Sequence, residues 1–509
     1  MVLISRVLRR IPSLCVILLA GQLGSAATLS MKPPAGPPTS KVTARGSGFA
    51  PLEIVDLSVG SMILVKIPAD NTGSFSKELK VPRSAQPGPY DVKATGETSG
   101  DSAQHIFTVA TNWPTFRGTV TGLGFNPFEN TITPKNAKFL TPAWTGLMGD
   151  LVDFSSPAVV DGVVYIGSFD GSLYAFDANG CGQEFCSPLW SGPTNNDITS
   201  SPAVANGVVY IGSADRKLYA FKAKGCGQPT CQPLWTGTLG SGVVESSPVV
   251  AGGFVYIGAA DGKLYAFDAK GCGQNRCSAV WTATTGQHIY STAAVAAGVV
   301  YIGATDGKLY AFNAQGCGQP TCQPIWTAQT GSSISGSSAT IVNGLLYVAA
   351  FDQDLYVFNA QGCGQPTCSP LWVGATGEFI ESSPAVANGV VYLGGGDDLL
   401  YAFDAHGCGG PVCQPLWRGS AVGAQAAMVS SPTVANGVVY VGENNGMMEV
   451  FDARGCGQPI CLPLTQLLTH NEPIVSSSAA VVNGTVYFGS ADQLSPPHGR
   501  LYVFKLSRR

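Results

Sequence analysis

The stretch Ser200 to Trp235, SSPAVANGVVYIGSADRKLYAFKAKGCGQPTCQPLW, recurs in eight variants between Ser155 and Phe504, with starts 45 to 48 residues apart. A period of that length restricts the chain to an array of small supersecondary units, each burying its faces only by stacking on its neighbours. In every copy an apolar run meets a two-residue turn, with Asp161-Gly162, Asn206-Gly207, Asn343-Gly344, Asn388-Gly389, Asn436-Gly437 and Asn483-Gly484 the clearest cases. Such pairs accept positive φ and close tight β-hairpins. A second turn, carrying Asp170-Gly171, Asp261-Gly262, Asp306-Gly307 or Asn445-Gly446, precedes the LYAF run, and a cysteine-bearing loop then leads to Pro-Leu-Trp. Each copy therefore predicts a four-stranded antiparallel meander.

Four strands at this spacing predict an all-β chain built as an eight-bladed β-propeller of four-stranded antiparallel blades. The copies begin at Ser155, Ser200, Ser246, Ser291, Ser337, Ser382, Ser430 and Ser477, and the last stops at LYVFKLSRR without a fourth strand. Ahead of the first copy, Pro142-Ala143-Trp144-Thr145-Gly146 matches the outer strand Pro233-Leu234-Trp235-Thr236-Gly237. That orphan strand is expected to complete the eighth blade and close the propeller, leaving no free sheet edge.

The copies resemble the pyrroloquinoline-quinone-type propeller repeat, whose usual form reads roughly SSPAV, VYVGS, LYALDA, TG, W. The lead-in Asn112-Trp113-Pro114-Thr115-Phe116-Arg117-Gly118 belongs to the same resemblance. The repeat serves quinone-dependent dehydrogenases and also the non-enzymatic propeller of the outer-membrane barrel assembly machinery, so it implies a fold and not an activity. One departure stands out: a longer cysteine loop replaces the Thr-Gly turn before the tryptophan.

Fourteen of the 15 cysteines form pairs five positions apart: Cys181/Cys186, Cys226/Cys231, Cys272/Cys277, Cys317/Cys322, Cys363/Cys368, Cys408/Cys413 and Cys456/Cys461. With a glycine on both sides of the first cysteine, a hairpin loop of this length can fold back within disulfide reach. Zinc is the competing reading, but zinc sites favour CxxC spacing and need two such pairs or added histidines. Seven local disulfides point to an oxidising compartment, where their expected effect is local rigidity of the loops and resistance to proteases.

Cys15, the remaining cysteine, falls inside residues 1–27, where Arg6, Arg9 and Arg10 precede the apolar run Ile11 to Ala20 and the small residues Gly24-Ser25-Ala26-Ala27. This pattern predicts a secretory signal peptide, and Leu14 before Cys15 does not fit a lipid-attachment site. No later run reaches the 18 or so apolar residues a membrane helix requires. Losing three arginines takes the formal charge from −4 to −7. With no basic run elsewhere, nucleic acid and anionic membranes are poor partners. The expected product is a secreted or periplasmic monomer that is not a lipoprotein.

Residues 28–110 lack cysteine and tryptophan, and the phrases GSGFAP, NTGSFSKELKVP, AQPGPYDVKATG and HIFTV resemble a small bacterial immunoglobulin-like (Ig-like) β-sandwich. Residues 111–141 then form a connector, and 142–509 the propeller. Charged residues are only 12% of the chain beside 64 glycines, which suits tightly turned β structure and not a disordered tail.

With eight internal copies the chain is its own control: what recurs is explained by the fold, and what varies at a fixed offset is a candidate for a task. Just ahead of each inner-strand Ser the sequence reads Phe154, Thr199, Glu245, Tyr290, Gly336, Glu381, Val429 and Ser476. These loops are expected to converge on one face, and Glu245, Tyr290 and Glu381 are the candidate ligand-binding residues, with solvated loop positions as the plain alternative. The eighth copy adds an enlarged turn, Asp492 to Arg500, with His498, and an entry loop with His470 and Glu472. These three join the candidates, although their spacing matches no dedicated metal motif. His105, His288 and His406 look isolated.

Quinone-dependent dehydrogenases of this fold imply a vicinal disulfide, a tryptophan under the cofactor, a calcium held by Glu, Asn and Asp, and an aspartate base. This sequence has no adjacent cysteines. Trp144, Trp190, Trp235, Trp281, Trp326, Trp372 and Trp417 share the outer-strand slot, and Trp113 belongs to the lead-in. No GxSxG elbow, phosphate loop or HExxH helix occurs. The expectation is an exported, non-enzymatic scaffold binding a protein or small ligand, without a quinone cofactor. The alternatives are a quinone- or metal-dependent oxidoreductase with an atypical site, and a carbohydrate- or cell-wall-binding protein.

Overall fold

The computed structural model describes residues 26–421, 426–469, 477–492 and 498–507. The expected leader, with Cys15, lies outside them except for Ala26 and Ala27. Two compact units divide the chain: Met1–Val81 with Gly88–Val109, and Pro82–Pro87 with Ala110–Arg509.

Two sheets form the first unit. One holds Thr28–Lys32, Lys41–Ser47 and Phe75–Lys80; the other runs in the order Ala35–Gly36, Ser102–Val109, Gly88–Gly96, Ile54–Val59, Met62–Pro68. Alternation along Lys41–Ser47 sends Val42, Ala44 and Gly46 inward and the intervening residues outward, the period-2 pattern of a half-buried strand. Val55, Leu57, Phe75, Val92, Ala94 and Phe107 complete its core.

In the second unit each of the first seven copies gives an inner, a second, a third and an outer strand, and the eighth takes Leu140–Leu147 as its outer strand. The second copy is typical: Ala203–Ala205, Val208–Ser213, Lys217–Lys222 and Trp235–Thr238, all antiparallel. The turn Asn206-Gly207 has φ of 51° and 78°, the left-handed values that favour Asn-Gly in a tight hairpin. Apolar second and third strands are buried on both faces. Tyr210 Oη crosses to the next copy and donates to Ala269 O at 2.6 Å, a bond repeated by Tyr165, Tyr256, Tyr301, Tyr347 and Tyr392. Each outer-strand tryptophan lies against a glycine of the following cysteine loop. A Cβ on Gly225 would fall 2.7 Å from Trp190 Cδ1, so this position excludes a side chain.

All seven local disulfides are present, with Cα–Cα distances of 5.6 to 5.7 Å. The two cysteines of a pair differ in environment. The first of each pair is exposed. The second, Cys186, Cys231, Cys277, Cys322, Cys368, Cys413 or Cys461, is buried, at 2 to 4% exposure. Each of these seven sulfurs belongs to a hydrophobic core: Cys186 shares its cluster with Trp144 and Phe176, Cys231 with Trp190 and Phe221, and Cys277 with Trp235 and Phe267. Cys322, Cys368, Cys413 and Cys461 pack in the same way with Trp281, Trp326, Trp372 and Trp417. The physical reason is that a half-cystine carries no charge and packs as a small apolar group, so the bridge anchors an exposed loop to the core. Five residues of spacing reveal the bond but not which end is inside.

The cysteine loops also change the fold class. The two residues ending at the second cysteine pair in parallel with the outer strand of the preceding copy, as in Thr236↔Arg276 and Gly237↔Cys277. Most sheets therefore have five strands, the fifth borrowed from the following copy. Instead of a closed eight-bladed propeller of self-contained four-stranded blades, the all-β chain winds as a β-solenoid of about eight turns. The reason is backbone hydrogen bonding: an outer strand with an open edge takes up the extended loop beside it.

The end turns also bond to each other. Leu140–Leu147, ahead of the first turn, pairs antiparallel with His498–Leu506 of the last, with Trp144 opposite Val503. Tyr487 Oη donates to Ala178 O at 3.0 Å.

Candidate functional site

The second residue of each inner-strand Ser pair fixes the wall of the site. Ser156 N–H donates to Ser201 Oγ, and the relay continues through Ser247, Thr292, Ser338, Ser383, Ser431 and Ser478, whose N–H returns to Ser156 Oγ, at 2.8 to 3.1 Å throughout. Each buried N–H is thereby satisfied by the neighbouring turn. Five of these residues, Ser201, Ser247, Thr292, Ser338 and Ser431, line a cavity of about 130 Å³.

Around the same cavity stand Phe154, Glu245, Tyr290, Gly336, Glu381 and Val429, six of the eight residues at the variable offset. Thr199 is set back from it, its Oγ1 accepting from Glu245 N–H at 3.1 Å. Ser476, His470 and Glu472 lie outside the described residues. His498 is exposed at the start of the last strand and is not among the lining residues. Thus Glu245, Tyr290 and Glu381 share one site, and His498 stands apart from it.

Asp153, one residue before the variable offset, is not a candidate on sequence grounds. Burial and then the negative charge of Glu381 push its carboxyl up to about 7. Burial, followed by the charges of Glu381 and Asp153, pushes Glu245 up to about 7 as well, and burial raises Glu381. Among the described residues no Lys, Arg or His pairs with these carboxyls. Like charges gathered without a cation disfavour joint ionisation, so burial and, for Asp153 and Glu245, the neighbouring negative charges hold these carboxyls above their usual range. Glu245 also holds φ of 63°, uncommon for a residue with a side chain and characteristic of functional positions. Tyr290 stacks on His288, their ring centroids 5.9 Å apart and planes 17° from parallel. His288 is therefore not isolated.

The connector supplies the floor. Between Trp113 and Asn126 it touches every turn in chain order. Trp113 N–H donates to Val159 O at 2.7 Å; Pro114 O accepts from Val204, and Thr115 Oγ1 donates to Pro248 O at 3.5 Å. Val120 O, Thr121 O, Leu123 O and Gly124 O accept from Val295, Ile341, Val386 and Val434, at 2.7 to 3.1 Å, and Asn126 Nδ2 donates to Val481 O at 2.8 Å. Phe116, within this strap, lines the cavity. Its neighbour Arg117 is 2% exposed. Arg117 Nη2 donates to Pro384 O, while Nε and Nη1 have no partner among the described residues. Burial pulls its guanidinium down to about 9.

Two features that the resemblance implies for quinone-dependent dehydrogenases, a tryptophan under the cofactor and a vicinal disulfide, have no counterpart at the cavity. All eight tryptophans are buried, and none is among the residues that line the cavity. No two cysteines are adjacent, and each of the fourteen is committed to a local pair.

A family model described as outer membrane protein assembly factor BamB matches residues 147–225, 187–362 and 316–454. Among solved structures, BamB from Moraxella catarrhalis is 19% identical, with 73% of this chain and 98% of that one covered at a TM-score of 0.53. The quinohemoprotein alcohol dehydrogenase from Comamonas testosteroni is 15% identical, covering 78% and 81% at 0.58. The computationally designed protein Ika8 is 16% identical, covering 70% and 98% at 0.52. At these identities the likeness is one of fold alone. Comparison with curated proteins gives no match.

Proposed function

Because this chain belongs to the repeat family described as outer membrane protein assembly factor BamB, we propose that it is an exported, non-enzymatic scaffold that holds a protein or small ligand at its floored cavity. The observation that carries the reading is the convergence of Phe154, Glu245, Tyr290 and Glu381, from four different turns, on one cavity. Variable side chains on a rigid repeated frame are the usual arrangement of a recognition surface. The opposite ends of the strands repeat Asn-Gly turns and disulfide loops with little change, as a stabilising surface would.

Export is supported by the seven disulfides, which persist in oxidising compartments. No helix among the described residues is long and apolar enough to cross a membrane. The resemblance of the first unit to an Ig-like domain suits an added binding module. Against a quinone-dependent oxidoreductase stand the buried tryptophans and the missing adjacent cysteines.

The test is recovery of the protein from the exported fraction, with mass spectrometry of what accompanies it. The variant Glu245→Ala/Tyr290→Ala/Glu381→Ala should fold and lose that species, while Gln228→Ala/Gln319→Ala in the cysteine loops should keep it. The reverse result rejects the cavity face. Incubation with pyrroloquinoline quinone and calcium should leave no cofactor absorbance after gel filtration, and stoichiometric retention rejects the non-enzymatic reading.

A further inference from the structure

Six turns carry the same bond between the middle turn and the third strand. Tyr219 Oη donates to Asp215 Oδ2, and the pairs Tyr174/Asp170, Tyr265/Asp261, Tyr310/Asp306, Tyr356/Asp352 and Tyr401/Asp397 repeat it. A phenol keeps its proton to about pH 10, so this bond is indifferent to physiological pH.

The seventh turn breaks the pattern at three positions. Asn445 stands where the others have Asp, Glu449 where they have Tyr, and Glu443 where Ser168, Ser213, Ala259, Ala304, Ala350 and Gly395 stand in the first six turns. Glu443 and Glu449 are both 0% exposed. Asn445 Nδ2 donates to Glu443 Oε2 at 2.7 Å, and Gln466 Nε2, directly across the strand pair, donates to Glu449 Oε1 at 2.5 Å. The other two oxygens, Glu443 Oε1 and Glu449 Oε2, are buried without a hydrogen-bond partner among the described residues.

We propose that Glu443 and Glu449 form a proton-operated latch: neutral, they hold the seventh turn packed, and ionisation of either one loosens it. Full burial of two carboxyls, with no ion pair to a cation among the described residues, is the geometric basis. Removing a proton from Glu443 Oε1 or Glu449 Oε2 leaves an uncompensated charge where water does not reach. The charged groups acting on Glu443 are Glu449 and, from the sixth turn, Asp398, both negative. Gln466 is the polar group acting on Glu449. Burial and then the Glu449 charge push Glu443 up to about 8, and burial pushes Glu449 up to about 7 against the opposing Gln466 bond. Below pH 4.5 folded and unfolded chains are both protonated, and the pair costs nothing. As pH rises, the unfolded carboxyls ionise first, so the turn loses stability progressively until the folded values are passed.

The latch adjoins the cavity. Asn444, next to Glu443, lines it together with Val429 and Ser431 of the same turn. Loosening the seventh turn therefore frees one sector of the cavity wall while the tyrosine-bonded turns stay shut.

Hydrogen exchange read by mass spectrometry on the full mature chain, from about pH 5.5 to 8.5, tests this. After correction for intrinsic exchange, protection of Met447–Asp452 should fall roughly tenfold or more further than that of the sister strand Lys308–Asn313 across this interval. The variant Glu443→Gln/Glu449→Gln should remove the difference. Equal pH dependence of the two strands in the wild-type chain overturns the proposal, whether or not the variant folds. A difference that persists in a folded variant overturns it as well.

Discussion

Cutting the chain at two places separates the contribution of the strap from that of the first unit. A chain lacking residues 28–110 loses the two-sheet unit, and with it Pro82–Pro87 and the bonds that Asn130 and Thr131 make to Arg83, Ala85 and Gln86, but keeps the Trp113–Asn126 strap and its bonds to the turns. One lacking residues 28–150 also loses the Trp113–Asn126 strap, which hydrogen-bonds to all eight turns, and the strand Leu140–Leu147 that pairs with the last turn. At about 1 kcal/mol net per hydrogen bond, the strap contributes roughly 8 kcal/mol. Trp144, 4% exposed and tilted against Phe176 at 6.1 Å, adds about 3 to 5 kcal/mol on the scale of buried aromatic truncations. Together these are comparable with the whole stability of a typical folded chain, about 5 to 15 kcal/mol. Calorimetry should show a cooperative transition for the shorter deletion, close in temperature to that of the parent second unit. The longer deletion should give a transition lowered by tens of degrees or none at all. Matching melting temperatures would refute the idea that the connector binds the turns together.

The carboxyls grouped around Glu381 should make stability pH-dependent in their own right. Asp153 is raised from its usual value to about 7 in the folded chain, so its neutral form is favoured there and stability falls as pH rises toward 7. Asp153→Asn should then melt at the same temperature as wild type near about pH 4 and higher near about pH 8, and a variant that melts lower at the higher pH counts against the burial argument. Peptide mapping without reductant should recover seven local disulfides and no thiol in the mature chain. Each bridge closes a short loop and contributes about 2 kcal/mol on the chain-entropy model, so loss of any one bridge should lower the melting temperature without dispersing the fold. Any bridge between turns would contradict the pairing.

Legibility in the sequence followed the range of the interactions. Asn206-Gly207 dictates its hairpin because the left-handed backbone it needs is a property of two residues, and the Cys226/Cys231 bridge follows from a spacing that only a local loop satisfies. That Cys231 is buried while Cys226 is exposed does not follow, because the contact with Trp190 and Phe221 comes from the preceding turn and from the strand ahead of the loop. Glu245, Tyr290 and Glu381 stand out because eight copies supply their own alignment, and the first six turns likewise make Glu443 and Glu449 recognisable as departures. Asp153 escapes notice because it sits one place outside the variable column. Its burial, and then its approach to Glu381 far away in the chain, raise its carboxyl, and both are tertiary effects.

What the sequence alone determines here is the unit: its strands, its turns, its disulfide and the repetition that forces neighbouring copies to stack. Its winding is another matter, since Thr236 meets Arg276 through backbone groups that carry no residue-specific signal. The same holds for the strap. Val120 O and Gly124 O bond to Val295 and Val434 through atoms that every residue possesses, so no pattern in residues 111–126 announces the order of their partners. Side-chain periodicity records which face of a strand is buried, whereas backbone hydrogen bonding between distant segments is decided by where the tertiary fold leaves an open edge.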